Sequence, residues 1–446
     1  MTARIAAYET LLLCEKEKQF SNIALTNGIK KYNFDARDRD FYTQLVYGVI
    51  ERQITLDYLI QQYTGKSVKR LDKPVLIILR LSIYQIKFLD KIPNSAAVSE
   101  AVKMASRFAS RAKGYINAVL RRISDSEIEY PDPSNWVEYA SVFYSVNKDI
   151  CALLKKQYGD LAEKILLAYN QIPLLTVQVN NRNHSPESFI EAYHLNATPV
   201  LPFTYAVRMC EKLSVSSQEF LENGDAFVQD LASQLTSLVL DPMPGMTVVD
   251  VCSCPGGKTF SAANMMLDRQ KKMGVSTPIG EIISCDVHDS KLPLIEKGAK
   301  RLGFDMIRTL CHDATQPLIA LKNKADRVIC DVPCSGLGVI SKKAEIRYKD
   351  ISEINALPEL QYQILCSASE YISENGVLVY STCTVNKAEN EAVVNRFASE
   401  HPGFELVDFS FDSDDLSFSS QNGCLTLLPN EWHDGFFIAK LHRKNK

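Results

Sequence analysis

The chain has 446 residues, a length that predicts two or three domains. Hydrophobic residues make up 46% and charged residues 23%, the balance of a globular protein, and no run of about eighteen apolar residues offers a membrane span. The formal net charge of -3 hides an asymmetry: Met1–Asn135 carries 21 Lys+Arg against 15 Asp+Glu, a net of +6, which leaves -9 for the rest and points to an anionic partner for the first third.

The first stretch, "MTARIAAYETLLLCEKEK", is broken by Glu9 and flanked by alternating charges, and no small-residue cleavage site follows. It reads as an amphipathic helix rather than a signal peptide, so the protein is expected in the cytoplasm. The 12 Cys are then expected to be reduced, most of them as small core residues. Cys252 and Cys254 form a C-x-C, but no second pair or nearby His completes a zinc site, so no metal is expected. Residues 1–135 are predicted to be helical, since "FYTQLVYGVIERQITLDYLIQQY" and "PVLIILRLSIYQIKFL" carry apolar residues at helical spacing. Lys103, Arg107 and Arg111 are spaced by four, with Lys113, Arg121 and Arg122 beyond and only Glu100 as a local acid. On one helix they form a basic stripe suited to a nucleic-acid backbone; the plainer alternative is a solvated face. The prolines of "YPDPSNW" mark a boundary.

Residues 136–225 are predicted to form a small α+β module, with one long helix over "KDICALLKKQYGDLAEKILLAY", a strand in "LLTVQVN" and a short helix near "PESFIEAYH". Residues 226–446 alternate strand and helix. "TVVDV", "EIISCDV", "IRTLCHD", "DRVICDV" and "GVLVYST" are short and β-rich, as buried parallel strands of a doubly wound, Rossmann-like sheet are. "DFSFDSDDLSFSSQN" is predicted to be a loop.

"VVDVCSCPGGKT" places Gly256 and Gly257 between the first of these strands and a helix, where open α/β sheets bind ligands. A P-loop would need glycine where Cys252 stands, and G-x-G-x-x-G is absent, so nucleoside triphosphate and dinucleotide binding are disfavoured. Asp286 ends the second strand, where a carboxylate can accept both ribose hydroxyls, and Asp313 ends the third, where one can accept from the adenine amine. Glycines followed by these two acids describe S-adenosylmethionine. The alternative is that both acids merely cap the following helices.

The fourth and fifth strands end in Asp331 with Cys334, and in Cys383. Oxygen and exocyclic nitrogen acceptors can be methylated without a thiol. Carbon 5 of a pyrimidine is a poor nucleophile until a thiolate adds to carbon 6; an acid must then serve ring nitrogen 3, and a base must remove the carbon 5 proton. The strand pattern leaves open which thiol attacks.

"CSCPGGKT", "DVPCSGLGV" and "STCTV" resemble the motifs of the RNA 5-methylcytosine methyltransferases, most fully those that act on bacterial small-subunit ribosomal RNA. "FVQDLASQL" and "DGFFIAKL" match the opening and closing segments of that catalytic domain. "AVSEAV" and "KGYINAVLRR" are similar to the family's N-terminal domain, which resembles the antitermination factor NusB. The resemblance covers nearly the whole chain. It implies an all-α NusB-like domain over 1–135, a small α+β RNA-binding module over 136–225 and a Rossmann-like, S-adenosylmethionine-dependent methyltransferase domain over 226–446. It assigns the nucleophile to Cys383, product release to Cys334, and the acid near ring nitrogen 3 to Asp331. It maps the cofactor loop to Cys252, Ser253, Cys254, Pro255, Gly256, Gly257 and Lys258, with Asp286, Asp313 and Asp331. Ser253 and Cys254 replace two alanines of the family loop, Val332 replaces an alanine and Thr384 a serine. Gln178-Val179-Asn180 stands where the family has R-V-N, so Arg182 is the substitute phosphate contact. Lys342 and Lys343 take the basic positions of a further motif, with Ala344 in place of its proline. The expected partner is small-subunit ribosomal RNA, with the target cytosine turned out of its stack, and the enzyme is expected to be a monomer. The alternatives are the same reaction on transfer RNA or another ribosomal site, and a non-catalytic RNA-binding assembly factor. Intact Asp331, Cys334 and Cys383 argue against the latter.

Overall fold

A computed structural model describes residues 2–17, 21–171, 174–211, 219–274, 278–413 and 416–444. They divide into two units, Met1–Asn170 with Lys343–Ile351, and Gln171–Lys342 with Ser352–Lys446.

The first unit is helical. Its centre is the helix Lys73–Phe88, in which every residue from Val75 to Ile86 is buried. Pro74 sits in the first turn, where its missing N–H has no helical partner to lose. The helix is apolar on nearly all sides because others surround it: Ala3–Glu17, Ala36–Glu51, Gln53–Thr64, Asn94–Phe108 and Lys113–Ser124 all pack against it. Arg80, the charged residue among its buried positions, is paired, with Asp57 at 2.7 Å on both oxygens and Glu15 at 3.1 Å.

Helices continue past the predicted boundary at 130–136. Trp136–Tyr144, Lys148–Tyr158 and Leu161–Ala168 also belong to this unit. The single long helix expected over 148–169 is two, because Gly159 C-caps the first half. Residues 343–351 complete the unit. Arg347 is 1% exposed; its guanidinium donates to Tyr144 O at 3.0 Å, to Asn170 Oδ1 at 2.9 Å and to Tyr169 O. Tyr348 donates to Ile50 O, and Glu345 accepts from Ser21 N at 2.6 Å.

The second unit opens with an antiparallel sheet of β1 (Thr176–Val179), β2 (Ala197–Pro199), β3 (Ala206–Met209) and β4 (Ala226–Val228), in the order β2-β3-β1-β4. The larger sheet holds β5 (Thr247–Asp250), β6 (Glu281–Asp286), β7 (Ile307–Cys311), β8 (Ala325–Asp331), β9 (Ile372–Thr382), β10 (Phe404–Leu406), β13 (Cys424–Leu427) and β14 (Phe436–Arg443). Its order is β10-β14-β9-β8-β5-β6-β7, with β13 paired to β14; β5 to β9 are parallel and β14 is antiparallel. The five predicted strands are all present. Helices Leu231–Leu240, Gly257–Met273 and Leu292–Leu302 cover one face, and Leu357–Ser369 and Glu391–Glu400 the other. This sandwiching explains why β9 is buried without a break from Gly376 to Thr382. The segment 408–422, expected to be a loop, contains a short hairpin of β11 (Ser410–Phe411) and β12 (Phe418–Ser419); Asp414 and Asp415 lie outside the described residues. Among the described residues no helix is long and apolar enough to cross a membrane.

Candidate active site

β5 has β6 on one side and β8 on the other, so the chain leaves β5 in one direction and returns on its far side. In an open α/β sheet a crevice forms at such a reversal, beyond the carboxyl ends of the strands. β9 lies next to β8 in parallel register, with Asp331 opposite Ser381. The turns after these two strands carry Cys334 and Cys383, whose Sγ atoms lie 3.3 Å apart.

Asp331 ends β8. Its Oδ1 accepts from the Ser381 hydroxyl and its Oδ2 from the Lys258 ammonium, each at 2.7 Å. Lys258 enters from the first turn of the helix Gly257–Met273, and its Nζ lies 5.1 Å from the centre of the Phe436 ring. Burial alone would lower the Lys258 pKa, but the charge and hydrogen bond of Asp331 outweigh it and the net shift is upward. The hydrogen bond to Cys383, then burial, hold the Cys334 thiol well above the usual thiol range.

The glycine turn lies between β5 and the same helix. Gly256 has φ +109, and a Cβ there would meet the Phe260 ring at 2.5 Å, so only glycine fits. A Cβ on Gly257 would meet nothing nearer than Gln229 Nε2 at 3.6 Å, which leaves the helix start open to close approach. Ser253 ties the turn to β6, its N and Oγ donating to Cys285 O at 2.8 and 2.9 Å. Asp286 Oδ1 accepts from His288 N at 2.9 Å; Asp313 Oδ1 accepts from Thr315 N at 3.0 Å and from the Thr315 hydroxyl at 2.8 Å. Each acid caps its own turn with one oxygen, and no side-chain bond to the other oxygen is seen among the described residues. The Thr315 bonds hold the Asp313 carboxyl below its usual range.

Residues 237–442 match the family described as 16S rRNA methyltransferase RsmB/F, and residues 1–125 match the NusB family. A Bacillus subtilis (strain 168) protein named "Probable ribosomal RNA small subunit methyltransferase B" is 32% identical over 99% of both chains. The chain belongs to the RsmB/F family of ribosomal RNA methyltransferases. Ribosomal RNA small subunit methyltransferase B of Yersinia pestis bv. Antiqua (strain Angola) is 26% identical over 92% of each. The crystal structure of PH0851 aligns over 99% of this chain and 98% of that one, with a TM-score of 0.82 and 26% identity. NSun6 from Pyrococcus horikoshii, solved with SFG, shares the fold over 66% of this chain and 98% of its own, with a TM-score of 0.56 and 21% identity.

Within this RsmB/F chain the basic residues singled out in the sequence do not form one surface. The helix Asn94–Phe108 ends at Ala109, whose φ is -150, and Arg111 lies in a separate 3-10 turn, Ser110–Ala112. The single helical stripe of Lys103, Arg107 and Arg111 is therefore corrected. Lys103, Lys113 and Arg121 instead line one cleft of about 800 Å³ with Ser95, Ser99 and Asn117. Lys103 also meets Glu100 at 2.7 Å, Arg107 stacks on Phe108, and Arg122 donates to Tyr63 O at 3.2 Å. Arg182 donates to Gly303 O and lines a second cleft with Lys271. Lys342 is clasped by Asp230 at 2.7 Å and Asp434 at 2.8 Å, so its charge is already matched, while Lys343 is exposed.

Three features of the site escape a reading along the chain: the Lys258–Asp331 pair, the Asp230–Lys342–Asp434 cluster, and buried Glu389. Only Glu389 leaves a local trace, in the spacing Asn386, Glu389, Asn390 beside an apolar run. Among the described residues no group of three or more His, Cys, Asp or Glu is arranged to hold a metal ion.

Proposed function

We propose that this enzyme methylates carbon 5 of one cytosine in small-subunit ribosomal RNA, with S-adenosylmethionine as donor and a covalent bond between that cytosine and Cys383. The meeting of Cys334 and Cys383 at 3.3 Å, beside Asp331 and Lys258, carries the reading. Methylation at oxygen or an exocyclic amine has no use for two thiols beside a carboxyl; carbon 5 chemistry uses each of them.

The donor fits the residues present. Asp286 and Asp313, on successive strand tips, offer acceptors for ribose hydroxyls and an adenine amine, and the open start of the helix at Gly257 suits a carboxylate. When bound there, S-adenosylmethionine supplies an electrophilic methyl group. Cys383 Sγ adds to carbon 6, and the displaced ring electrons move toward nitrogen 3. The hydrogen-bonded Asp331–Lys258 pair provides the proton or hydrogen bond that nitrogen 3 then needs. Carbon 5, now enamine-like, takes the methyl group. In the release step Cys334, as its thiolate, takes the carbon 5 proton onto Sγ, the carbon 5–carbon 6 double bond reforms, and the carbon 6–sulfur bond breaks with its electron pair returning to Cys383 Sγ.

The cleft of Lys103, Lys113 and Arg121 is the proposed contact for the RNA backbone, and Arg182 beside Lys271 a second. Incubation of the purified protein with S-adenosylmethionine and small-subunit rRNA, followed by base-resolution mapping, is expected to place a methyl group on carbon 5 of one cytosine. Transfer to another atom, or no transfer to this RNA, would overturn the assignment.

A further inference from the structure

Glu389 is fully buried in the turn between β9 and the helix Glu391–Glu400. Its carboxylate gathers four neutral donors. Oε1 accepts from the Ser335 hydroxyl at 2.5 Å and from Asn386 Nδ2 at 3.0 Å. Oε2 accepts from the Ser335 backbone N–H at 2.8 Å and from Gln361 Nε2 at 3.0 Å. Gln361 Nε2 also donates to Pro333 O at 2.9 Å, so both neighbours of Cys334 are tied to this network. The Ser335 hydroxyl, whose hydrogen points to Glu389, accepts from the Thr384 hydroxyl at 2.7 Å, and Thr384 is the residue after Cys383. A last link holds the loop after Cys334: Gly338 N donates to Cys383 O at 3.0 Å, an approach so close that a Cβ on Gly338 would lie 2.9 Å from that oxygen.

A turn can be stapled by a hydroxyl or an amide. Burying a carboxylate among neutral dipoles is more costly, and only a carboxylate offers two acceptor oxygens to four donors. We propose that Glu389 is a positioning residue of the methyl transfer, clamping the two cysteine turns so that both thiols stay in contact at one face of the target ring. The clamp deepens the covalent-adduct reading above and rests on it. The groups facing Cys334 are Cys383, Glu389, Asp331 and Tyr380, with Lys258 held behind Asp331. Two of these are carboxyl groups, and both oppose a thiolate on Cys334.

The test compares full-length wild type, Glu389→Gln and Ser335→Ala. Glutamine keeps the shape but sets an NH2 group against donors and removes the charge. The pH profile of Cys334 alkylation by iodoacetamide, read by peptide mass spectrometry without RNA or cofactor, is expected to move down by about one pH unit in Glu389→Gln. In the same variant kcat is expected to fall about 100-fold with the KM values for RNA and S-adenosylmethionine unchanged, the signature of misplaced reacting groups. Ser335→Ala removes the hydroxyl bridge and leaves the charge, so kcat should fall while the alkylation profile stays; it also stands in should Glu389→Gln not fold. A wild-type profile or wild-type kcat in Glu389→Gln, or wild-type kcat in Ser335→Ala, would overturn the clamp. The alkylation profile needs no RNA, so its failure is distinct from absence of methyl transfer by the wild type, which would overturn the reading beneath it.

Discussion

The Lys258 ammonium lies 2.7 Å from Asp331 Oδ2 and joins the start of the helix after β5 to the tip of β8. The pair links the glycine turn after β5 to the strand tip that precedes Cys334. Lys258→Met would leave the Ser381 hydroxyl as the side-chain partner of Asp331 among the described residues. The expected loss in kcat is about 100-fold or more, the usual scale for removing a proton-handling group. Steady-state methyl transfer at saturating substrates measures it, and a variant with wild-type kcat would contradict the role.

Asp250 closes β5 within the protein, with Oδ2 accepting from the Thr259 hydroxyl at 2.7 Å, and burial pushes its carboxyl up to about 7. A pKa raised by folding means that the folded chain keeps a proton which the unfolded chain releases near pH 4. Stability from this group is therefore lost as the pH rises from about 4 to about 7. Asp250→Asn cannot ionise. Its Tm relative to the wild type should rise between about pH 5 and pH 8, and a constant difference across that range would argue against a carboxyl held this way.

Charge reversal in the basic cleft should act on RNA and not on the cofactor. Lys103→Glu with Lys113→Glu is expected to weaken binding alike for many RNA sequences and to lower the salt slope by about 0.7–0.9 for each phosphate no longer neutralised. Fluorescence anisotropy over a salt series reads this directly. Arg107→Glu, which lies outside the cleft, should change the slope less; the reverse ranking would return the cleft to an ordinary solvated face.

Much of the catalytic unit is legible in the chain because its chemistry is local. β5, β6, β8 and β9 are buried parallel strands, so they read as apolar runs, and their tips carry Asp286, Asp331 and Cys383 in plain view. Other features depend on distant partners. Nothing near Lys342 tells that Asp230 and Asp434 will enclose it, and nothing near Glu389 tells that Ser335 and Gln361 will donate to it. Spacing by four predicts a stripe only while the helix lasts, and it ends before Arg111. In the same way, the apolar period runs through Gly159 although the helix does not.

Arg347 is the extreme case, since a charged residue between Ile346 and Tyr348 reads as surface yet binds three carbonyl oxygens inside the helical unit. Arg347→Ala removes those bonds and leaves a cavity and unpaired acceptors. Unfolding in urea should show a loss of about 3 kcal/mol or more. A loss below about 1 kcal/mol would mean that residues 343–351 are not held by this anchor.

The division of labour between the thiols is tested most directly by two single alanine variants, each incubated with S-adenosylmethionine and small-subunit rRNA and followed on denaturing gels with radiolabelled methyl groups. Cys383→Ala is expected to give neither methylated RNA nor a covalent complex. Cys334→Ala is expected to accumulate a protein–RNA adduct that carries the label. Methyl transfer by Cys383→Ala together with an inactive Cys334→Ala that forms no adduct would reverse the two roles and contradict the account.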